Sequence, residues 1–199
     1  MGFLTSLAGN SIINKTLNQL TSLKKNLPAQ IPQNHEVWYF DESRFGTHSK
    51  VGHAWYKTGT RTRIKINIGY KNFYLYSAIN PKSGDQFTLL LPSVNVLCMN
   101  IFLSAFIKQN PNKQILMIMD GAAWHQSKRL TKYQGLKTLI QPPYSPELNP
   151  VERLWQHIKD KTIKNKCFTS LETLEHAVIQ CVKNITNEDI MSLCKYHYN

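Results

Sequence analysis

The alternation of hydrophobic and polar stretches along the chain predicts a mixed α/β domain. Apolar runs of strand length, bounded by turn residues, precede longer segments with helical periodicity. The predicted strands are one that ends at Asp41 and those at 53–57, 63–70, 72–79, 87–91, 114–119 and 137–140. Helices are predicted at 94–109, near 124–133, at 150–165 and at 170–185. An antiparallel meander followed by alternating helices and strands indicates a mixed sheet, with antiparallel and parallel strands, flanked by helices.

The first 35 residues have a different pattern from the rest. They are rich in Asn, Ser and Thr, and their apolar repeats are limited to Leu17, Leu20 and Leu23. This pattern is typical of one weak helix followed by a proline-marked linker. We therefore divide the chain into an N-terminal partial helical segment, 1–35, and a main domain with C-terminal helices, 36–199.

Residues 86–107 carry no charge, and such a stretch is long enough to raise the question of a membrane span. Pro92 and Ser93 divide it, however, into a strand at 87–91 and an amphipathic helix. One face of that helix carries Val94, Leu97, Cys98, Ile101, Phe102 and Ala105. We interpret it as a core helix and predict no membrane partner.

The four cysteines show no C-x-x-C spacing, so a zinc site is not expected. Cys98 and Cys181 fall on apolar helix positions. This placement predicts buried free thiols and a reducing, cytoplasmic compartment.

The net charge of +12 over 199 residues indicates a polyanionic partner. Between Glu42 and Asp85 there is no acid, and aromatic residues are interleaved with the bases. The bases of this stretch that we predict to contact DNA are Arg44, Lys50, Lys57, Arg61, Arg63, Lys65 and Lys71. The alternative is that the alternating Arg61, Arg63 and Lys65 form only the solvated face of an antiparallel strand.

Three of the twelve acidic residues stand out by their setting. Asp41 and Asp120 each close an apolar strand run, where a carboxylate is costly to bury unless it is paired or binds a metal. Glu152 lies where a helix opens. A simpler explanation is a capping box, with Asn149 as the N-cap and Pro150 at the first helical position. Together, two strand-end acids and one helix-start acid form the arrangement that a site for two Mg²⁺ ions requires.

His125 follows Asp120 by five residues and belongs to no ligand pattern. We predict for it a position at the surface or a supporting role near the site.

Three segments of this sequence, in this order, resemble the DDE transposases of bacterial insertion sequences in the mariner superfamily. They are Phe40-Asp41-Glu42-Ser43-Arg44-Phe45, Met119-Asp120-Gly121-Ala122-Ala123-Trp124-His125, and the run from Pro142 to Trp155, Pro-Pro-Tyr-Ser-Pro-Glu-Leu-Asn-Pro-Val-Glu-Arg-Leu-Trp. The resemblance covers roughly residues 36–165 and implies a ribonuclease H-like fold. It also implies that Asp41, Asp120 and Glu152 are the three catalytic acids. Two departures are Gly121, where many relatives have Asn, and the 31 residues between the last two acids, somewhat fewer than usual.

The resemblance implies metal-dependent cleavage of DNA and strand transfer at insertion-sequence ends. Two Mg²⁺ ions, with Mn²⁺ as a substitute, are expected on the three acids. The expected partners are terminal inverted repeats, target DNA and a second copy of the chain in a homodimer. The compartment implied is the bacterial cytoplasm, at the nucleoid.

The residues before Glu36 are too few for a pair of helix-turn-helix modules, which relatives carry to read their terminal repeats. The chain is therefore either one half of a frameshifted pair, with an upstream-frame helix-turn-helix partner, or a truncated remnant. Two rival functions stay open. One is a non-catalytic DNA-binding or dimerising fragment that modulates a full-length transposase, and the other is a general nuclease or RNA–DNA hybrid hydrolase of the same fold.

Overall fold

A single five-stranded sheet organises the domain. The computed structural model describes residues 31–47, 71–141 and 149–195. The strands are β1 (Glu36–Gly46), β2 (Asn72–Ile79), β3 (Gln86–Leu91), β4 (Ile115–Met119) and β5 (Leu136–Ile140). Their order across the sheet is β3-β2-β1-β4-β5. The strands predicted at 53–57 and 63–70 lie outside the described residues.

Strand directions follow the predicted mixture of an antiparallel meander and parallel strands. β1 pairs with β2, and β2 with β3, in antiparallel ladders. β1 also pairs with β4, and β4 with β5, in parallel ladders. The first strand is longer than predicted, because the β1–β2 ladder continues from Tyr39 to Gly46, beyond Asp41.

Within the residues that the structure describes, four helices cover the two faces of this sheet. They are α1 (Val96–Gln109), α2 (Val151–Thr162), α3 (Leu171–Lys183) and α4 (Asn187–Leu193). The start of α4 is fixed by a capping box between Thr186 and Asp189. In the part of the chain that the structure describes, no helix is long and apolar enough to cross a membrane.

Alternate side chains of the strands enter two separate hydrophobic cores. On one face, Tyr39 and Ile118 pack with Leu154 and Trp155 of α2 and with residues of α3 and α4. On the other, Phe40 and Met117 pack with aromatic residues of α1. Because neighbours in a strand point to opposite faces, Asp41 and Glu42 are directed to different layers. This separation determines the architecture of the site.

The predicted buried face of α1 is wrong by about one residue in phase. Cys98 and Phe102 are buried as expected, but Leu97 and Ile101 are 69% and 47% exposed. Met99, Leu103 and Phe106 take the buried positions instead. The error arises because the helix is apolar on nearly all sides, so periodicity alone cannot choose its inner face.

The helix predicted near 124–133 is also wrong, because that segment consists of turns. Its backbone is tied to α1 by the Asn100 side chain, which donates to the Arg129 carbonyl at 3.1 Å and accepts from the Thr131 amide at 2.8 Å. These tertiary hydrogen bonds outweigh the helix propensity of a Lys- and Gln-containing segment.

The four cysteines are free. Cys98 is buried as predicted, whereas Cys181 is only partly buried.

Candidate active site

Two of the three predicted acids lie side by side where β4 ends next to β1. In the parallel ladder between β1 and β4, Tyr39 pairs with Ile118. Two residues further in this register, Asp41 stands opposite Asp120, just past the end of β4, while β1 itself continues to Gly46. The sheet therefore brings together two residues that are 79 positions apart in sequence.

The third acid is held near Asp41 by the start of α2. The buried Asn149 donates from Nδ2 to the Phe40 carbonyl at 2.9 Å, one residue before Asp41. Six residues later, Trp155 donates from Nε1 to Asp41 Oδ2 at 2.9 Å. Glu152 lies between these two anchors on the first turn of the helix.

The capping explanation of Glu152 holds only in part. Asn149 does accept from the Val151 amide at 3.2 Å, and Pro150 already has helical dihedral angles, which fits the predicted N-cap and first helical position. Among the described residues, however, Glu152 returns no hydrogen bond to the backbone of Asn149, and its side chain is exposed. Capping therefore does not occupy the Glu152 carboxylate.

Asp41 is the most strongly perturbed acid of the site. Its pKa is raised from 3.8 to about 7. Burial is the largest cause of this rise, and the neighbouring negative charge of Glu152 is the second. The hydrogen bond from Trp155 opposes the rise, because it favours the charged form. A buried carboxylate next to a second carboxylate is an electrostatic arrangement that a cation would stabilise.

Asp120 has the opposite environment. Its side chain is 57% exposed, and Oδ1 lies 2.6 Å from Nδ1 of His125. The amide of Ala122 also donates to Oδ1, at 3.1 Å. The hydrogen bond from His125 is the main reason that the pKa of Asp120 lies below its usual value.

His125 is buried between two carboxylates. Its Nε2 lies 2.9 Å from Oε1 of Glu42, and its side chain is fully shielded from solvent. Burial disfavours the charged imidazolium, but the hydrogen bonds to Asp120 and Glu42 prevail and raise the pKa of His125 to about 10. Of the two predicted locations, the surface one is wrong, and His125 lies directly behind Asp120.

The donor set fits a hard divalent cation, although the ligands are not gathered. In the described part of the chain, no three acid, histidine or cysteine side chains come together as a metal site. Asp41 and Glu152 interact electrostatically, whereas Asp120 is turned toward His125. Carboxylate oxygens are the ligands that Mg²⁺ prefers, and the unfavourable charge at Asp41 is the observation that fits a bound cation.

Gly121 offers room for the Asn of many relatives. An added Cβ would meet its nearest neighbours, on Gln126 and Ile140, at 3.5 Å, which is ordinary contact. The departure at this position is therefore not forced by packing.

The predicted DNA-contacting bases are described only in part. Arg44 on β1 and Lys71 before β2 are both exposed. The others, Lys50, Lys57, Arg61, Arg63 and Lys65, lie outside the described residues.

Sequence reasoning did not assign a role to several residues that shape the site. Glu42 and Trp124 lie inside the quoted motifs, but neither was singled out. Trp155 closes the third motif, and its sequence position predicts no contact with Asp41. The available signal was their position inside the motifs, next to the predicted acids.

Comparison with known proteins determines the family. The DDE superfamily endonuclease family matches residues 36–175, which is more than half of the chain and includes all three acids. The chain belongs to the DDE superfamily endonucleases.

This DDE superfamily endonuclease is similar to proteins of mobile elements. It is 27% identical over 145 residues to the insertion element IS630 39 kDa protein of Shigella sonnei, covering 69% of this chain and 41% of that protein. It is 23% identical over 172 residues to the Tc3 transposase of Caenorhabditis elegans, covering 80% and 52%. An uncharacterised Sinorhizobium fredii protein, y4pE/y4sA, is 29% identical over 102 residues, covering 51% and 76%.

Solved structures of the Mos1 transposase share the fold. Its paired-end complex with the left transposon end has a TM-score of 0.65 at 18% identity, covering 89% of this chain and 56% of that one. Mos1 paired-end complexes with Mn and with Mg have TM-scores of 0.68 and 0.65, both at 16% identity. The DDE endonuclease domain thus has a ribonuclease H-like fold, as the sequence predicted. The chain spans about half the length of the IS630, Tc3 and Mos1 proteins.

Proposed function

We propose that this chain is the catalytic domain of a transposase that cuts and joins DNA at insertion-sequence ends. The observation that carries the proposal is the register that sets Asp41 opposite Asp120, with Glu152 held beside Asp41 by α2. The family match over 36–175 supports the same chemistry.

In this proposal Asp41, Asp120 and Glu152 hold two Mg²⁺ ions, or Mn²⁺ in their place. Ions held there would supply activation of the attacking oxygen and stabilisation of the leaving oxygen of a phosphodiester. The chain itself contributes position. Asn149 and Trp155 fix α2 against the middle of β1, so that Glu152 and Asp41 approach from different elements.

The substrate in this proposal is duplex DNA with terminal inverted repeats, followed by target DNA. The net charge of +12 and the exposed Arg44 and Lys71 support a phosphate-contacting surface. The Mos1 complexes with transposon ends support a paired arrangement of two copies.

Nicking of a supercoiled plasmid carrying insertion-sequence ends tests the catalytic assignment. Asp120→Asn should abolish Mg²⁺-dependent nicking, because it removes a charged ligand, and should leave DNA affinity unchanged or slightly higher. Asp160→Asn is the matched control, since Asp160 lies on α2 but faces Lys164 at 3.8 Å. Wild-type nicking rates in Asp120→Asn would refute the assignment, and loss of folding in this variant would assign the residue to the fold instead.

A second candidate is a non-catalytic fragment that binds DNA or dimerises with a full-length transposase. The observation that favours it is the turn of Asp120 toward His125, away from a three-acid group. If the wild-type chain binds DNA but shows no nicking with Mg²⁺ or Mn²⁺, this candidate replaces the first.

A further inference from the structure

We propose that His125 is a positioning residue that determines which oxygen of Asp120 is presented to a divalent ion. The inference rests on the proposed function and concerns a residue to which the comparisons assign no role. It follows from the hydrogen bonds on either side of the imidazole ring.

The two oxygens of Asp120 have different surroundings. Oδ1 is engaged twice, by His125 Nδ1 at 2.6 Å and by the Ala122 amide at 3.1 Å. No hydrogen bond to Oδ2 occurs among the described residues. Because the side chain is 57% exposed, Oδ2 is the oxygen available to an ion, and Asp120 would bind through one oxygen only.

The far side of the ring is anchored to β1. Oε1 of Glu42 accepts from His125 Nε2 at 2.9 Å and also from Trp124 Nε1 at 3.0 Å. The Glu42 side chain is only 6% exposed, so this anchor is shielded from competing water. Phe40 adds an edge-to-face contact with the imidazole, at 5.5 Å between ring centroids.

The result is a buried chain from Glu42 through His125 to Asp120, which joins the middle of β1 to the loop after β4. It runs on the face of β1 opposite to Asp41, because Glu42 and Asp41 alternate. The carboxylate of Asp120 is thereby held against rotation from behind. Partners behind metal ligands typically change metal affinity by about 10–100-fold when they are removed.

Two substitutions at His125 separate positioning from simple structural support. In His125→Asn, the amide nitrogen can take the place of Nδ1 and donate to Asp120, while the contact with Glu42 is lost. In His125→Gln, the longer side chain places its amide near Nε2 and keeps Glu42, while the contact with Asp120 is lost. Both variants alter the same buried site, and only one retains the hydrogen bond to Asp120.

The measurement is the affinity of the folded full chain for Mn²⁺, from electron paramagnetic resonance of the free ion. We expect His125→Gln to weaken Mn²⁺ binding about 10-fold and His125→Asn to remain within about threefold of wild type. His157→Ala, a substitution on α2 outside the chain of contacts, is the control for loss of a histidine. The inference would be overturned if both His125 variants bound Mn²⁺ equally weakly, or if only His125→Asn bound it more weakly than wild type.

A wild-type measurement covers the case in which the His125 variants do not fold. In ¹⁵N spectra of the imidazole, the strongly hydrogen-bonded shift of Nδ1 of His125 should persist when Mg²⁺ saturates the protein, because the short bond to Oδ1 of Asp120, at 2.6 Å, remains beside the longer contact with the Asp120 carbonyl, at 3.2 Å. Loss of this shift on Mg²⁺ addition would overturn the inference. Failure of the proposed function gives a different result, since Asp120→Asn would then leave Mn²⁺ affinity unchanged.

Discussion

Asp41→Asn should stabilise the metal-free protein at neutral and alkaline pH. In the fold, Asp41 is buried beside the negative charge of Glu152, and its pKa is raised from 3.8 to about 7. Above that pKa the native state must hold a poorly solvated carboxylate. Asparagine has nearly the same shape, and its amide oxygen can still accept the hydrogen bond from Trp155. The substitution removes the charge and leaves the packing in place.

The pH dependence follows from the sign of the shift. Because the folded pKa is higher than the unfolded one, the native state binds the extra proton, and wild-type stability falls as pH rises from about 4 to 7. The pKa of Asp41 rises by about three, and each pKa unit corresponds to about 1.4 kcal/mol. The ionised carboxylate therefore lowers the stability of the native state by at most about 4 kcal/mol above pH 7. This figure is an upper limit, since the Asp41 side chain retains some contact with solvent. Between pH 5 and 8 the advantage of Asn should grow by up to about 3 kcal/mol.

Urea unfolding in EDTA at pH 5, 6.5 and 8 measures this difference directly. Asp160→Asn serves as the control, because its carboxylate is solvated and pairs with Lys164, so its effect should stay below about 1 kcal/mol at every pH. A stability difference between Asp41→Asn and wild type that is the same at pH 5 and pH 8 would refute the reasoning. It would mean that Asp41 is ionised in the metal-free fold at little cost.

Three further predictions test the supports of the site and the DNA surface. Trp155→Phe should lower metal-free stability by up to about 1.4 kcal/mol more at pH 8 than at pH 5 in urea unfolding, because the lost donor served the charged form of Asp41, and this carboxyl, with its pKa of about 7, can take up a proton instead. Asn149→Ala should cost about 2 kcal/mol and weaken Mn²⁺ binding, whereas Asn110→Ala, which removes a similar buried bond to a helix carbonyl, should change stability only. Neutralising Arg61, Arg63 and Lys65 together should reduce the slope of log affinity against log salt by up to about 3 in DNA-binding titrations, and an unchanged slope would assign them to a solvated strand face.

The placement of Asp41 beside Asp120 was predictable because burial leaves few explanations for a carboxylate that follows an apolar run. An acid that terminates an apolar run must be paired, protonated or bound to a cation. That argument selected Asp41 and Asp120 from twelve acids, and the structure sets them opposite each other across β1 and β4. Helix-start signals predicted where Glu152 lies along the chain. They could not predict that it lies next to Asp41.

The supporting contacts could not be predicted, because they join residues that are distant in sequence. Glu42 and His125 are 83 positions apart, and nothing in the local pattern of either indicates the other. Trp155 has the periodicity of a core residue, which it is, and its Nε1 proton has no signature in sequence. Periodicity also failed for α1, where apolar residues surround the helix, and for the turns at 124–133, where tertiary hydrogen bonds override local propensity.

The two halves of the site depend on different layers of the fold. Asp41 and Glu152 are held by α2, through hydrogen bonds from Asn149 and Trp155. Asp120 depends instead on the loop after β4, whose later turns are fixed to α1 by Asn100. The β1 strand connects the halves, because Asp41 and Glu42 are neighbours on it and point to opposite layers. A change in the packing of α1 should therefore displace Asp120 while leaving Asp41 in place, and the separation of the two carboxylates, on which any shared ion depends, is set by the β1–β4 register and by the loop after β4.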